Sequence, residues 1–321
     1  MESSNVTAGE KKLDWDDIFN VFGDDFDRFD FPADVYRVTA GFGGEALLIV
    51  GSEKTALLDC GMAYCGSRMV EKLARRLAEN GREKLDYIIL SHSHYDHMGA
   101  LPYVRRRFPE AMVCGSRHCR EILRRPNARK LIKELGEAAR ELYDPESNVE
   151  IPVDGLAVDV ILEDGDVVSL GNGYLVALET KGHTDCSMSF ALEPAGILFT
   201  SESTGMLETS EYVHTPILKD YSDAMESLKK CREYGAKYIC LPHFGMLPQY
   251  FNERYWEMFE AACREKLGFV GDMVSRSLTE DQMTDEYIKR YWNPALEKVQ
   301  PVEAYVINAR AIIKAMMKAL E

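Results

Sequence analysis

No apolar run in this 321-residue chain approaches the roughly 20 residues needed to cross a bilayer as a helix. The opening residues, Met1-Glu-Ser-Ser-Asn-Val, carry neither a basic nor an apolar stretch, so no secretory leader is expected and the reading is cytoplasmic. Positive charge is in deficit. Lys and Arg number 38 against 53 Asp and Glu, a formal net charge of -15, which opposes general attraction to nucleic acid or to an anionic membrane. CxxC pairs are missing. The eight cysteines (Cys60, Cys65, Cys114, Cys119, Cys186, Cys231, Cys240 and Cys263) are scattered, so reduced thiols are expected rather than a zinc ribbon or a disulfide framework. There is no internal repeat and no low-complexity tract.

What is present is ordinary soluble-protein composition, 46% hydrophobic and 28% charged, in a chain long enough for one large core with an appendage. Residues 1–30 are polar and acidic and read as a loose or peripherally docked extension. From Val35 the pattern changes to short apolar runs at 35–39, 46–50 and 55–59, separated by Gly-rich turns, which predict strands. An amphipathic helix follows over 68–80, with Val70, Leu73, Ala74 and Leu77 on one face and Gly81 as its stop. Two polar helices broken near Pro126 are predicted over about 116–143, as an insertion that overhangs the strand ends. Strands resume over 158–200 and at 238–241, with a helix near 222–234 between them, and from about 251 the pattern is helical to the end. Strand clusters interleaved with helices predict a layered α/β sandwich. The basic residues from Arg105 to Lys133 read first as a solvated helix face, and alternatively as a positive rim for an anionic substrate.

Histidine is scarce, and its placement is uneven. Of seven, three fall within the six residues His92-Ser-His-Tyr-Asp-His97, at the end of the apolar run Tyr87-Ile-Ile-Leu90. A strand end can aim several imidazoles and a carboxylate at one point, and that donor set suits zinc, iron or manganese. His183 and His243 also sit in short turns after apolar runs. The expectation is a metal-dependent hydrolase. His118 reads as a helix-surface residue. His214 is a candidate pocket residue. Cys186, three residues after His183, reads as small-residue packing.

The ordered series His92-x-His94-x-Asp96-His97, Gly182-His183-Thr184, Ser201-Glu202 and Pro242-His243 resembles the metallo-β-lactamase fold superfamily over roughly residues 35–250. The early Leu58-Asp-Cys-Gly61 matches that family's Asp-Thr-Gly turn, with Cys60 in place of Thr. The resemblance implies a four-layer αββα sandwich over 31–250 with a helical C-terminal cap over 251–321. It also implies two divalent metal ions, zinc or iron, with manganese a further candidate. His92, His94 and His183 would hold one ion; Asp96, His97 and His243 the other. Glu202 would bridge them, and Asp59 would fix a ligand histidine's tautomer. A hydroxide on the metal pair would be the nucleophile, with Asp96 the catalytic carboxylate orienting it. The family usually has Asp where this chain has Glu202, so three placements are open: bridging, binding one ion, or turned away. Pro242-His243-Phe244 stands where Gly-His-Gly is common and makes the far edge bulkier.

The string His-Tyr-Asp-His followed by Gly99-Ala-Leu-Pro-Tyr103, the helical insertion and the helical tail are similar to the quinolone-signal response thioesterase branch of the family, whose metal is iron. That implies hydrolysis of a small-molecule thioester or ester, in a pocket closed by the cap through residues such as Tyr255, Trp256, Phe259 and Met273. Alternatively these residues only pack the tail. Other readings are glyoxalase-II-like thioester cleavage, phosphodiester hydrolysis, and a non-catalytic regulatory or binding protein on the same scaffold. The related flavodiiron oxidoreductases usually carry Glu where this chain has His94. Nothing in the sequence specifies the oligomeric state.

Overall fold

The computed structural model describes residues 20–23, 25–292 and 302–321. One six-stranded sheet is formed by β1 (Val35–Arg37), β2 (Leu47–Val50), β3 (Thr55–Leu58), β4 (Tyr87–Ile89), β5 (Met112–Ser116) and β6 (Val160–Leu162), in that spatial order. β1, β2 and β3 are antiparallel, and β3 to β6 are parallel. The second six-stranded sheet runs β7 (Val167–Ser169), β8 (Tyr174–Glu179), β9 (Met188–Glu193), β10 (Ile197–Phe199), β13 (Tyr238–Leu241) and β14 (Gly245–Met246). A separate hairpin pairs β11 (Met206–Thr209) with β12 (Tyr212–His214).

The layering follows from strand alternation. Successive side chains point to opposite faces, so a strand that is apolar throughout must be covered on both sides. Leu47, Ile49, Ala56, Leu58 and Ile89 meet Leu175, Ala177, Phe190, Leu192, Ile197 and Phe199 between the sheets. Their neighbours Leu48, Leu57, Ile88 and Val113 face outward. They are covered by the helices α1 (Gly66–Glu79), α2 (Tyr95–Met98), α3 (Leu101–Arg107), α4 (Arg117–Arg124) and, through Ile132, α5 (Pro126–Tyr143). On the other side Ala191, Leu198, Ile239 and Leu241 are covered by α6 (Tyr221–Tyr234) and α7 (Asn252–Ser275). The order is helices, sheet, sheet, helices: the αββα sandwich.

The tail is helical. α8 (Glu280–Tyr291) starts at a capping box in which Thr279 and Gln282 satisfy each other's backbone N–H groups. α8 and α9 (Val302–Leu320) pack on the end of α7 through Val270, Met273, Met283, Tyr287, Tyr305, Ile312 and Met316. Tyr255, Trp256 and Phe259 are buried against the second sheet's outer layer, and Met273 inside the cap.

The insertion predicted over 116–143 divides at Pro126, which starts α5 where a missing N–H costs nothing. Four of the basic residues around it are matched by acids: Arg105 with Asp159, Arg106 with Glu150, Arg117 with Glu163, and Lys130 with Glu134. That is the solvated-face reading. Within the extension read over 1–30, residues 1–19 and 24 lie outside the described residues. Phe22 packs edge-on against Phe251 and Phe244, at 4.9 and 5.9 Å between centroids. The Arg28 guanidinium donates to the Phe244 carbonyl at 2.9 Å, bracing the turn that holds His243. Among the described residues all eight cysteines are free thiols and buried, and no helix is long and apolar enough to cross a membrane.

Candidate metal centre

Five strand ends supply the site. β3 ends at Asp59, β4 leads into His92 to His97, β8 into His183, β10 into Glu202, and β13 into His243. β3 and β4 run parallel, as do β10 and β13. β8 and β10 share a direction because both are antiparallel to β9. Their C-terminal ends therefore open on one edge of the sandwich. The short helix α2 turns Asp96 and His97 back toward His92.

Seven donors meet there in two groups: His92, His94, His183 and Glu202 in one, and Asp96, His97 and His243 in the other. Within each group the donor atoms lie within 4.8 Å of one another. His183 Nε2 is 3.0 Å from His94 Nδ1, and His97 Nε2 is 3.1 Å from His243 Nε2. The Glu202 carboxylate spans the groups. Oε2 is 2.9 Å from His183 Nε2 and 3.1 Å from His92 Nε2, while Oε1 is 3.0 Å from His243 Nε2. Asp96 Oδ2 is 3.6 Å from both His97 Nε2 and His243 Nε2.

These contacts fit a divalent cation better than they fit one another. His92 Nε2 and Glu202 Oε2 are buried and, despite their proximity, make no hydrogen bond. Such orphaned buried atoms are costly without a partner. Burial and the neighbouring His97 hold the His92 imidazole down at about 3, and burial with His92 and His183 holds His94 well below the ordinary range. Both rings are thus neutral and offer lone pairs, the form in which imidazole binds a metal. Glu202 is ionised: His183 and His243 hold it well below the carboxylate range, against the opposing effect of burial. Imidazole and carboxylate together match zinc, iron or manganese.

The far sides of the rings are held. Asp59 accepts from the Ser91 N–H at 2.8 Å and from the Ser91 hydroxyl at 2.6 Å, and lies 2.9 Å from His97 Nδ1. The Ser91 oxygen also lies 3.0 Å from His92 Nδ1. To reach these partners Asp59 adopts φ +54°, uncommon for a residue with a side chain. His183 Nδ1 is 2.6 Å from the Pro216 carbonyl, and its backbone N–H donates to Ser203 Oγ. Tyr255 on α7 donates to the Thr204 carbonyl at 2.8 Å, clamping the turn that carries Glu202.

The structure brings all seven of these residues together, and Asp59 lies 2.9 Å from His97 Nδ1. Of the three placements open for Glu202, the structure has the one that reaches both groups. His214 is buried beside the site: its ring feels the charges of Lys266, Glu202 and His183, and burial drives its pKa well below the ordinary range. His118 lies on the helix surface near Glu121. Cys186 is buried, with its sulfur 3.4 Å from Ser93 Oγ. Sequence reasoning missed Ser91, Gly44 and the Pro216 carbonyl. Ser91 stands directly before the histidine motif, so a signal existed. Gly44 was read only as a turn glycine, yet a Cβ there would sit 2.5 Å from His97 Nδ1. No local signal marks a carbonyl acceptor.

The family model described as the metallo-beta-lactamase superfamily matches residues 40–243. The chain belongs to that superfamily. A metallo-beta-lactamase fold-containing protein of Sulfurisphaera tokodaii is 28% identical over 178 residues, 55% of this chain and 67% of that protein. A coenzyme F420H(2) oxidase of Methanothermobacter marburgensis is 30% identical over 161 residues, 50% of this chain and 34% of the oxidase. An atrochrysone carboxyl ACP thioesterase of Aspergillus fumigatus is 26% identical over 246 residues, 72% of this chain and 62% of the thioesterase. The chain thus spans about a third of that oxidase's length and under two thirds of the thioesterase's. Among solved structures, a metallo-beta-lactamase family protein of Thermus thermophilus superposes with TM-score 0.59 at 18% identity, covering 89% of this chain and 93% of that one.

Proposed function

We propose that this protein is a dinuclear metal-dependent hydrolase acting on a small-molecule thioester or ester. The observation that carries the proposal is the Glu202 carboxylate, which reaches His92 and His183 with one oxygen and His243 with the other. His92, His94 and His183 would hold one ion, Asp96, His97 and His243 the second, with Glu202 between them. A divalent pair supplies a water acidified toward neutral pH and a positive field for a developing oxyanion.

The rest is done by the chain. Asp59 and Pro216 hold the His97 and His183 rings in the orientation that turns Nε2 toward the centre. Asp96 is the more open of the two central carboxylates, its side chain 18% exposed against 7% for Glu202. In this reading Asp96 would help hold the second ion and orient the attacking water. Preference for a thioester or ester rests on the thioesterase relative, whose match extends over more of this chain than that of the oxidase.

The test is elemental analysis of protein purified without chelator or added metal, followed by thioester and ester panels with the metal found. About two equivalents of iron, zinc or manganese per chain with turnover supports the proposal. Near-zero metal with no uptake on reconstitution overturns it.

A further inference from the structure

Beside the metal centre, and outside it, lies a buried polar cluster for which packing offers no explanation. Lys266 on α7 is 0% exposed. Its ammonium donates to Thr215 Oγ1 at 3.0 Å and stands over the rings of Tyr291 and Tyr212, at 5.1 and 5.5 Å from their centroids. The charges of Glu208 and Glu265 reach it, but no carboxylate among the described residues comes within the 4.0 Å of an ion pair. An ammonium in such surroundings is expensive, and natural cores place one only with a compensating partner. Burial lowers its pKa to about 8, so it remains mostly charged at neutral pH.

Tyr287 packs on Tyr291 at 4.6 Å between ring centroids and lies 6.4 Å from Tyr305, and the phenol oxygens of Tyr212, Tyr287 and Tyr305 are buried and make no hydrogen bond. Three hydroxyls thus lack a hydrogen-bond partner, and the ammonium, which carries three donors, uses only one, on Thr215. These groups come from four separate elements: β12 with the residue after it, the body of α7, and the cap helices α8 and α9. Burial also pushes the Glu208 carboxyl up to about 7, so near neutral pH it can donate as well as accept. The cluster is joined to the metal centre along the backbone. In the run His214-Thr215-Pro216, His214 borders the site, Thr215 holds Lys266, and the Pro216 carbonyl holds His183. Tyr305 continues the line, its ring centroid 6.2 Å from that of His214.

We infer that Lys266, with the hydroxyls of Tyr212, Tyr287 and Tyr305, forms a recognition subsite for an oxyanion at the far end of the substrate's acyl group. The anion is a carboxylate or an ionised phenol or enol. Calling it an acyl-group subsite rests on the hydrolase reading above; the binding itself does not. The ligand's oxygen supplies the missing acceptor, and its negative charge offsets the buried ammonium. The preferred substrates are then acyl thioesters or esters that carry a second acidic group, and plain fatty acyl groups are poor.

The experiment is calorimetric titration of the metal-loaded full chain with two probe sets. The first is the series of dicarboxylates from four to eight carbons, each against its monoamide. The second is 3-(4-hydroxyphenyl)propanoate against 3-phenylpropanoate. Every probe has one carboxylate for the metal centre, and only the distal group differs. The wild-type protein is expected to prefer at least one distal acid over its neutral match by tenfold or more. Lys266→Met abolishes that preference while leaving the neutral probes' affinity and the metal content unchanged. Tyr287→Phe and Tyr305→Phe each reduce it severalfold. The set that shows the preference tells carboxylate from phenol. Equal binding of every pair to the wild type overturns the inference, as does a preference that survives Lys266→Met in the folded, metal-loaded variant. Selective binding without turnover would leave the subsite standing and remove the hydrolase reading instead.

Discussion

Asp59 Oδ2 lies 2.9 Å from His97 Nδ1 and 2.6 Å from Ser91 Oγ, whose oxygen in turn reaches His92 Nδ1. One carboxylate at the end of β3 thus orients a ring in each of the two donor groups, directly for His97 and through a hydroxyl for His92. It does so from a left-handed backbone position. The centre is therefore organised from behind, by atoms that never face it.

Asp59→Asn tests this arrangement. An amide has one acceptor oxygen for three donors, and its NH2 would face an imidazole N–H. Metal retention is expected to weaken about 10- to 100-fold, measured by chelator competition with the fold intact by circular dichroism. Retention at the wild-type level would remove Asp59 from the centre.

Gly44→Ala places a methyl group 2.5 Å from His97 Nδ1, so the ring must move or the loop must open. The variant is expected to fold but to lose about one metal equivalent per chain by elemental analysis, because His97 belongs to only one donor group. Unchanged stoichiometry would show that the loop yields instead.

Glu202→Asp shortens the carboxylate by one methylene. The present side chain touches both groups, and a shorter one cannot keep both contacts without a shift of its turn, which Tyr255 clamps. Metal content is expected to fall from about two equivalents toward about one, with hydrolysis reduced at least tenfold. Raised activity would mean that the longer side chain hinders the site.

Burial raises the Glu208 carboxyl from its ordinary value of 4.5 to about 7. The folded state then binds the extra proton between those values, so Glu208 makes stability fall as pH rises from about 4.5 to about 7. The contribution is on the order of 3 kcal/mol across the window. Glu208→Gln is expected to be the more stable form at pH 8, with the difference shrinking toward pH 4, as read from urea unfolding at each pH. A pH-independent difference would mean that the carboxyl is not held protonated.

Much of the fold was legible because strand alternation and helix periodicity are local. The apolar runs at 46–50, 55–59, 174–179 and 238–241 became strands, and the helix read over 68–80 runs over Gly66–Glu79. The hairpin β11–β12 was not foreseen. Met206 to His214 mixes polar and apolar residues without clean alternation, and the pairing carries an irregularity between Leu207 and Thr209. That hairpin brings His214 and Glu208 to the site. His214 was picked out only by its nearness in sequence to Glu202. Tyr305, about 100 residues further on, carries no sequence sign that its ring comes to lie beside His214.

By itself the sequence determined the donor set. Histidine and carboxylate types follow from the residues alone, and their position after apolar runs places them at strand ends, where side chains can converge. Only the tertiary structure decided how the long Glu202 side chain is used, which groups hold the rings from behind, and that a buried lysine stands next to the centre. Those outcomes depend on contacts between elements distant in the chain, as in the Pro216 carbonyl on His183 or Thr215 on Lys266. A carbonyl acceptor or a desolvated ammonium has no local pattern, because what defines it is the absence of water, and folding alone removes that water.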